Sequence, residues 1–280
     1  MIGNQEVWSG AVEAVRRAAT ARGRAASGLF SIEGLRLNER AVRAGWYVET
    51  AVIGPSFLMS KMPRLQALIQ DLENGGCRLV PVPDEVISDL TAGRDLGAII
   101  GLLRIPQSPA LKDVFAAADD PAVLLVAADI KEPGNTGALM RTALAGGAAG
   151  FVACGISDPY HPKALRTSMG SLFKLPILKY SHTETFMAEL AALGIQSVGL
   201  AVEGAAALPL ADFSEHELAL LVGSESWGLT AETQRMVDSL VSIPMREGVD
   251  SYSVNAAAAI ALYELGRRQG FGHLNGKRRA

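Results

Sequence analysis

The sequence predicts a two-domain α/β protein whose second domain is built on a mostly parallel sheet. Three observations lead there. Short apolar runs, clearest in AVLLVAAD (122–129) and LALLV (218–222), have the length of strands buried on both faces. Segments of helical period lie between such runs, so strand and helix alternate along most of the chain. The stretch PQSPALKDVFAAADDP (106–121) opens and closes with proline and has no strong period, which reads as a linker with one turn of helix. The expected division is therefore a small α/β domain over residues 1–106, a linker over 107–121 and a larger domain over 122–280.

In the small domain, residues 5–20 have helical apolar spacing at Val7, Trp8, Val12 and Val15, and the polar face turns basic at its C-terminal end, as the helix dipole favours. GLFSIEG (28–34) is a strand closed by Gly34, LRLNERAVRAG (35–45) a helix ended by Gly45, and WYVETAVIG (46–54) a strand stopped by Gly54 and Pro55. PRLQALIQDLENGG (63–76) is a helix with Asn74-Gly75 as its stop, and CRLVPV (77–82) a strand. DEVISDLTAG (84–93) is a helix opened by Asp84, and GAIIGLLRI (97–105) a strand.

The larger domain begins with the strand at 122–129, passes through a loop at 130–136, and enters a helix ending at Gly146-Gly147. FVACG, HPKALRTSMG, LPILKY, HTETFMAELAALG and QSVGLAV continue the alternation as far as residue 202, giving about six strands in all. LALLV then delivers the polar loop Gly223-Ser224-Glu225. LVSI (240–243) breaks at Pro244 into another polar loop, which feeds VNAAAAIALYEL (254–265), a helix apolar on nearly every face and expected to be buried all round. In open α/β sheets, ligands sit at the carboxyl ends of strands, so these two loops and this helix start form a candidate pocket.

Composition sets limits on function. At 280 residues with 49% hydrophobic content, the chain can supply two cores. No run reaches the eighteen or so apolar residues that a membrane span needs, and the first residues, MIGNQEVWSG, lack a basic segment followed by an apolar one. A cytoplasmic protein without membrane attachment is expected. Cys77 and Cys154 fall at apolar strand positions in different domains and read as core residues, too few for a metal cluster. A net charge of −3 does not favour nucleic acid by itself, so any phosphate contacts must come from local clusters. Two qualify: Arg16, Arg17, Arg22, Arg24, Arg36 and Arg40 near the start, and Arg267, Arg268, Lys277, Arg278 and Arg279 at the end.

Three motifs carry the chemistry. They are Asn135-Thr-Gly137-Ala-Leu-Met-Arg141-Thr-Ala143, then GSESWGL (223–229), then Ile243-Pro244-Met245 followed by Ser251-Tyr252-Ser253-Val254-Asn255 and the Ala-rich helix. In order and approximate spacing they resemble the three motifs of the SpoU (TrmH) class of RNA methyltransferases over residues 120–265. The first hundred residues, with SGLFSIEGLRLNERAV, resemble the small domain, akin to RNA-binding ribosomal proteins, that members of this class often carry. One departure stands out. The class usually reads Ser-Leu-Asn-Val-Ser in the third motif, so Ser253 and Asn255 have exchanged places here.

The resemblance implies a C-terminal domain with a trefoil knot that lines a pocket for S-adenosylmethionine. The main chain of Gly223, Ile243 and Tyr252, with Asn255, would hold the cofactor. Asn135, Arg141, Glu225, Ser251 and Ser253 would form the catalytic set: Asn135 and Glu225 orient loop or ribose, Glu225 by bonding backbone amides or Asn135 itself. In the class, the arginine at position 141 is held to assist removal of the proton from a ribose 2′-hydroxyl. A guanidinium is essentially always protonated, so Arg141 is read here as a phosphate anchor and electrostatic stabiliser at a helix's first turns. The class pairs its catalytic domains, with this arginine reaching the cofactor site of the other subunit. A homodimer acting on RNA is therefore expected, with Arg22 and Arg24 gripping phosphate and 23S ribosomal RNA the preferred substrate. Other readings stay open: a tRNA 2′-O-methyltransferase, an RNA-binding homologue with impaired catalysis, and an α/β-hydrolase using Ser226, Asp250 and His273.

Overall fold

The computed structural model describes residues 5–94, 97–118, 122–202, 206–207 and 217–268, with the side chains of 5–7 excluded. The chain divides into two compact units, Met1–Gln107 with Tyr160–Phe173, and Ser108–Pro159 with Lys174–Ala280. Expected features at Val7's side chain, His273, Lys277, Arg278 and Arg279 lie outside the described residues.

The first unit opens with α1 (Gln5–Ala18) and α2 (Ala21–Ser27). It continues through β1 (Leu29–Glu33), α3 (Leu35–Arg43), β2 (Thr50–Ile53), α4 (Pro55–Leu58), α5 (Pro63–Asn74), β3 (Arg78–Pro81), α6 (Asp84–Leu90) and β4 (Ile99–Arg104). Its sheet has the order β1-β4-β2-β3; β4 runs antiparallel to both neighbours, and β2 pairs with β3 in parallel. Ala11, Val12, Val15 and Ala18 of α1 pack on Val52, Val80, Ile100 and Leu102, so the apolar stripe read in the sequence is the face that covers the sheet.

One helix near the start was not anticipated. Residues 21–27 form α2 because Thr20 adopts an extended conformation and its side chain accepts from the amide of Gly23. Trp46-Tyr47-Val48, expected in the second strand, precede it. Tyr160–Phe173, which includes α9 (Pro162–Ser168), packs within this first unit. The Tyr160 ring lies 5.1 Å from Phe30, Arg166 bonds Glu33 at 2.9 Å, and the Trp46 indole donates to the carbonyl of Phe173 at 3.1 Å.

The second unit runs from α7 (Leu111–Ala116), in the expected linker, through β5 (Val123–Ala128), α8 (Pro133–Ala145) and β6 (Gly150–Cys154). After the excursion into the first unit come β7 (Ile177–Tyr180), α10 (Thr183–Leu193), β8 (Gln196–Leu200), β9 (Ala206–Ala207) and β10 (Leu218–Val222). The unit closes with α11 (Ala231–Met236), β11 (Ser239–Ser242) and α12 (Val254–Arg268). Seven described strands form one sheet in the order β7-β6-β5-β10-β8-β11-β9, and every neighbouring pair is parallel. β5 and β10 are buried at every residue, as runs covered on both faces must be.

Both cysteines are free and buried; burial pushes their thiols up, to about 11 at Cys77 and about 12 at Cys154. They are core residues. The expectation that α12 is buried all round is corrected. Ala258, Ala261, Leu262 and Leu265 are buried, whereas Ala259 is exposed and Tyr263 is 63% exposed, because the helix packs on α8 along one side only.

Candidate functional site at the carboxyl edge of the second sheet

β5 has β6 on one side and β10 on the other, so the strand order reverses between β5 and β10. The carboxyl ends of strands at such a reversal leave a crevice. The loops leaving β5 and β10 meet there. Glu225 accepts from Asn135 Nδ2 at 2.7 Å and from the amides of Glu132 and Lys131 at 3.3 Å each. Asn135 Oδ1 in turn accepts from Asn255 Nδ2 at 3.2 Å. A continuous polar chain thus joins the first, second and third motifs.

Burial works to raise the Glu225 carboxyl, but the bonds from Asn135 and from the amides of Glu225, Glu132 and Lys131 outweigh it and hold the group below its ordinary value. It is ionised at neutral pH. Four donors meet its two oxygens, so Glu225 braces the loop after β5 by accepting hydrogen bonds. The exchanged positions in the third motif now have a structural reading. Asn255 completes the polar chain, while Ser253 serves the start of α12, its hydroxyl accepting from Ala256 N at 3.4 Å and its carbonyl from Ala257 N at 2.9 Å.

A cavity of about 830 Å³ opens beside this chain, within the size range of small-molecule sites. Leu200, Val222 and Ile243 bring it to the ends of β8, β10 and β11, and α12 closes one side through Val254 and Ala257. Gly223, Glu225, Ile243, Ser251 and Tyr252 line it as expected; Asn135, Arg141, Ser253 and Asn255 do not. Beyond the strand ladder, the main chain of Gly223 and Ile243 makes no hydrogen bond among the described residues. Gly223 cannot be any other residue without rearrangement: a Cβ there would stand 2.1 Å from Gly228 C and Leu229 N. Ser224 and Gly228 exchange backbone bonds of 2.9 and 2.8 Å, which closes the turn that Gly223 enters.

Arg141 is exposed on α8, and among the described residues it has no partner. Its expected place at a helix's first turns is corrected: α8 starts at Pro133, eight residues earlier, or about 12 Å along the axis. The pair Arg22 and Arg24 is split. Arg22 is exposed, but Arg24 is 3% exposed and its guanidinium donates to Ala18 O at 2.8 Å, so it ties α2 to the end of α1. Two residues were missed. Ser157, fully buried, donates to Ala127 O at 3.0 Å and accepts from Ile130 N at 2.9 Å, holding the loop after β5 from beneath. Trp227, 82% exposed, lines the cavity from the tip of the turn after β10. A tryptophan between Ser226 and a turn glycine was the available signal for the second; nothing in the sequence marked the first.

This fold and site define an α/β protein with a small-molecule-sized cavity at the carboxyl edge of a parallel sheet. The description SpoU rRNA Methylase family matches residues 122–263, and MRM3-like substrate binding domain matches residues 11–95. An uncharacterized tRNA/rRNA methyltransferase from Mycobacterium tuberculosis is 32% identical over 215 residues, covering 75% of this chain and 73% of its own. A 23S rRNA (guanosine-2′-O-)-methyltransferase from Ralstonia nicotianae is 27% identical over 74% of this chain and 83% of its own. Among solved structures, the SpoU methyltransferase AviRb from Streptomyces viridochromogenes in complex with AdoMet superimposes with a TM-score of 0.83 at 25% identity, covering 95% of this chain and 99% of that one. The chain belongs to the SpoU rRNA methylase family.

Proposed function

We propose that the protein transfers the methyl group of S-adenosylmethionine to a ribose 2′-hydroxyl of 23S ribosomal RNA. The observation that carries this is the Glu225–Asn135–Asn255 chain, which ties the three family motifs together beside the strand-end cavity. The relatives named as 23S rRNA 2′-O-methyltransferases and the AdoMet-bound structural neighbour support the substrate and the donor. They favour ribosomal over transfer RNA.

The cavity suits this cofactor. S-adenosylmethionine carries a sulfonium and an ammonium, and among the described residues the cavity is lined by two carboxylates, Glu225 and Asp250, and by no Lys, Arg or His. The unbonded main chain at Gly223 and Ile243, with that of Tyr252, would hold the polar edges of adenine and ribose, and Leu200, Val222 and Leu229 would cover their faces. When bound, the cofactor supplies an electrophilic methyl group. The protein's own part is positioning. Glu225 and Asn135 fix the loop at the mouth of the cavity, and Arg141 anchors a phosphate beside the target ribose. Arg141 does not line the cavity of its own chain, which supports a homodimer in which it serves the partner's site. The exposed side of α12 around Ala259 and Tyr263 is the face proposed for that pairing.

The hydrolase reading gives way to the family match over residues 122–263. Its Ser226 stands exposed at the turn tip, and its His273 lies outside the described residues. The deciding experiment incubates the protein with methyl-labelled S-adenosylmethionine and ribosomal RNA from cells lacking the gene, then maps the label. Label on a ribose 2′-oxygen of 23S RNA is expected. Label on a base, or on transfer RNA alone, would sink the proposal.

A further inference from the structure

We propose that Trp227 is the stacking platform for an unpaired nucleobase of the RNA substrate at the mouth of the cavity. This rests on the reading of the protein as an RNA methyltransferase and adds a residue that contacts substrate. A large indole left 82% exposed is unfavourable unless something covers it. Isolated exposed apolar residues are ordinary, but this one has company: Val202 at 53% and Tyr252 at 42% exposure line the same cavity. The indole is also held on a rigid support. It sits inside the Ser224–Gly228 turn, closed by two backbone hydrogen bonds, two residues from Glu225, which is itself tied to Asn135 and two amides. A flexible apolar tip would not need such bracing.

The chemistry of the lining selects the occupant. Among the described residues the cavity is lined by carboxylates and no cation, so this lining repels phosphate and favours the neutral parts of a nucleotide, the base and the ribose. A ribose hydroxyl cannot be brought to a recessed cavity while its base stays stacked in a helix, and RNA-binding proteins compensate the lost stacking with aromatic side chains. Trp227 is the exposed aromatic closest in sequence to the braced loop, and its face suits any base.

The test compares wild type with W227A, W227L and W227F, measuring direct binding to 23S ribosomal RNA from cells lacking the gene, binding of S-adenosylmethionine by calorimetry, and mass by light scattering. W227A should weaken RNA binding by roughly 5- to 150-fold. W227L should do the same, W227F should restore most of the affinity, mass should not move, and cofactor affinity should fall far less than RNA affinity in every variant. RNA should also quench tryptophan fluorescence in wild type more than in W227F, which keeps Trp8 and Trp46. Three results would overturn the inference: cofactor affinity falling while RNA affinity holds, a change of mass with unchanged RNA binding, or W227L binding RNA as well as W227F. If wild type binds RNA with these variant effects yet transfers no methyl group, the proposed function fails and the stacking site stands.

Discussion

Glu225 and Gly223 show how much of this site depends on single atoms. Glu225 is a hub of acceptors for four donors, so Glu225→Gln, which puts an amide N–H₂ against N–H groups, should displace the loop after β5. Because the group is largely exposed, water replaces most lost bonds and the melting temperature should change little. The effect falls on geometry: kcat should drop on the order of 10²-fold, the scale expected for a misplacement of about 1 Å at a reacting centre. A large fall in melting temperature with unchanged kcat would reverse that assignment. The acid dependence follows from the depressed carboxyl. Its contribution to stability is present above its ordinary value of 4.5 and is lost as pH falls through the lower folded value. The small stability difference between wild type and E225Q should therefore begin to shrink as pH falls below about 4.5 and vanish only below the lower folded value, measured by thermal unfolding across pH. Gly223→Ala acts differently, because its added Cβ meets backbone that cannot step aside. It should destabilise the protein by about 1–3 kcal/mol and abolish binding of S-adenosylmethionine in calorimetry. Retained cofactor binding in G223A would mean that the turn after β10 does not shape the pocket.

At the scale of elements, strands were legible because a doubly buried strand announces itself as a short apolar run, as β5 and β10 do. Three short helices were not. α2, α4 and α11 span seven, four and six residues, too few for a period to show, and each depends on a local device such as the Thr20 and Thr230 caps or Pro55. The polar site was half legible: motif order placed Asn135, Glu225 and Asn255 near one another, but only the fold shows that Asn255 rather than Ser253 bonds Asn135. Helix α12 failed in an instructive way. An all-round apolar helix implies all-round burial, yet Tyr263 is 63% exposed, a mismatch that the proposed homodimer would remove. Tyr263→Glu should convert a dimer to a monomer in light scattering at micromolar concentration. A central interface aromatic is worth about 2 kcal/mol or more, roughly thirtyfold in the dimer constant. A dimer that survives Y263E unchanged would place the interface elsewhere.

For the whole molecule the question is how a chain of net charge −3 holds RNA. Among the described residues the charged lining of the cavity is acidic, which directs the search for phosphate contacts to exposed arginines away from it. Exposure separates the candidates near the start of the chain. Arg17 is paired with Glu13 at 3.0 Å and Arg24 is buried against Ala18, whereas Arg16, Arg22 and Arg36 are exposed. Each phosphate neutralised on single-stranded RNA adds about 0.7 to the slope of log affinity against log salt. Arg22→Ala should therefore flatten that slope by about 0.7 if Arg22 contacts one phosphate, with cofactor affinity unchanged because the cavity belongs to the other unit. Arg24→Ala should behave oppositely. It removes the donor to Ala18 and leaves a gap where α2 meets α1, so it should lower the melting temperature while the salt slope stays that of wild type. A flattened slope in R24A, or a wild-type slope in R22A, would show that the first unit does not meet RNA through the exposed side of α2.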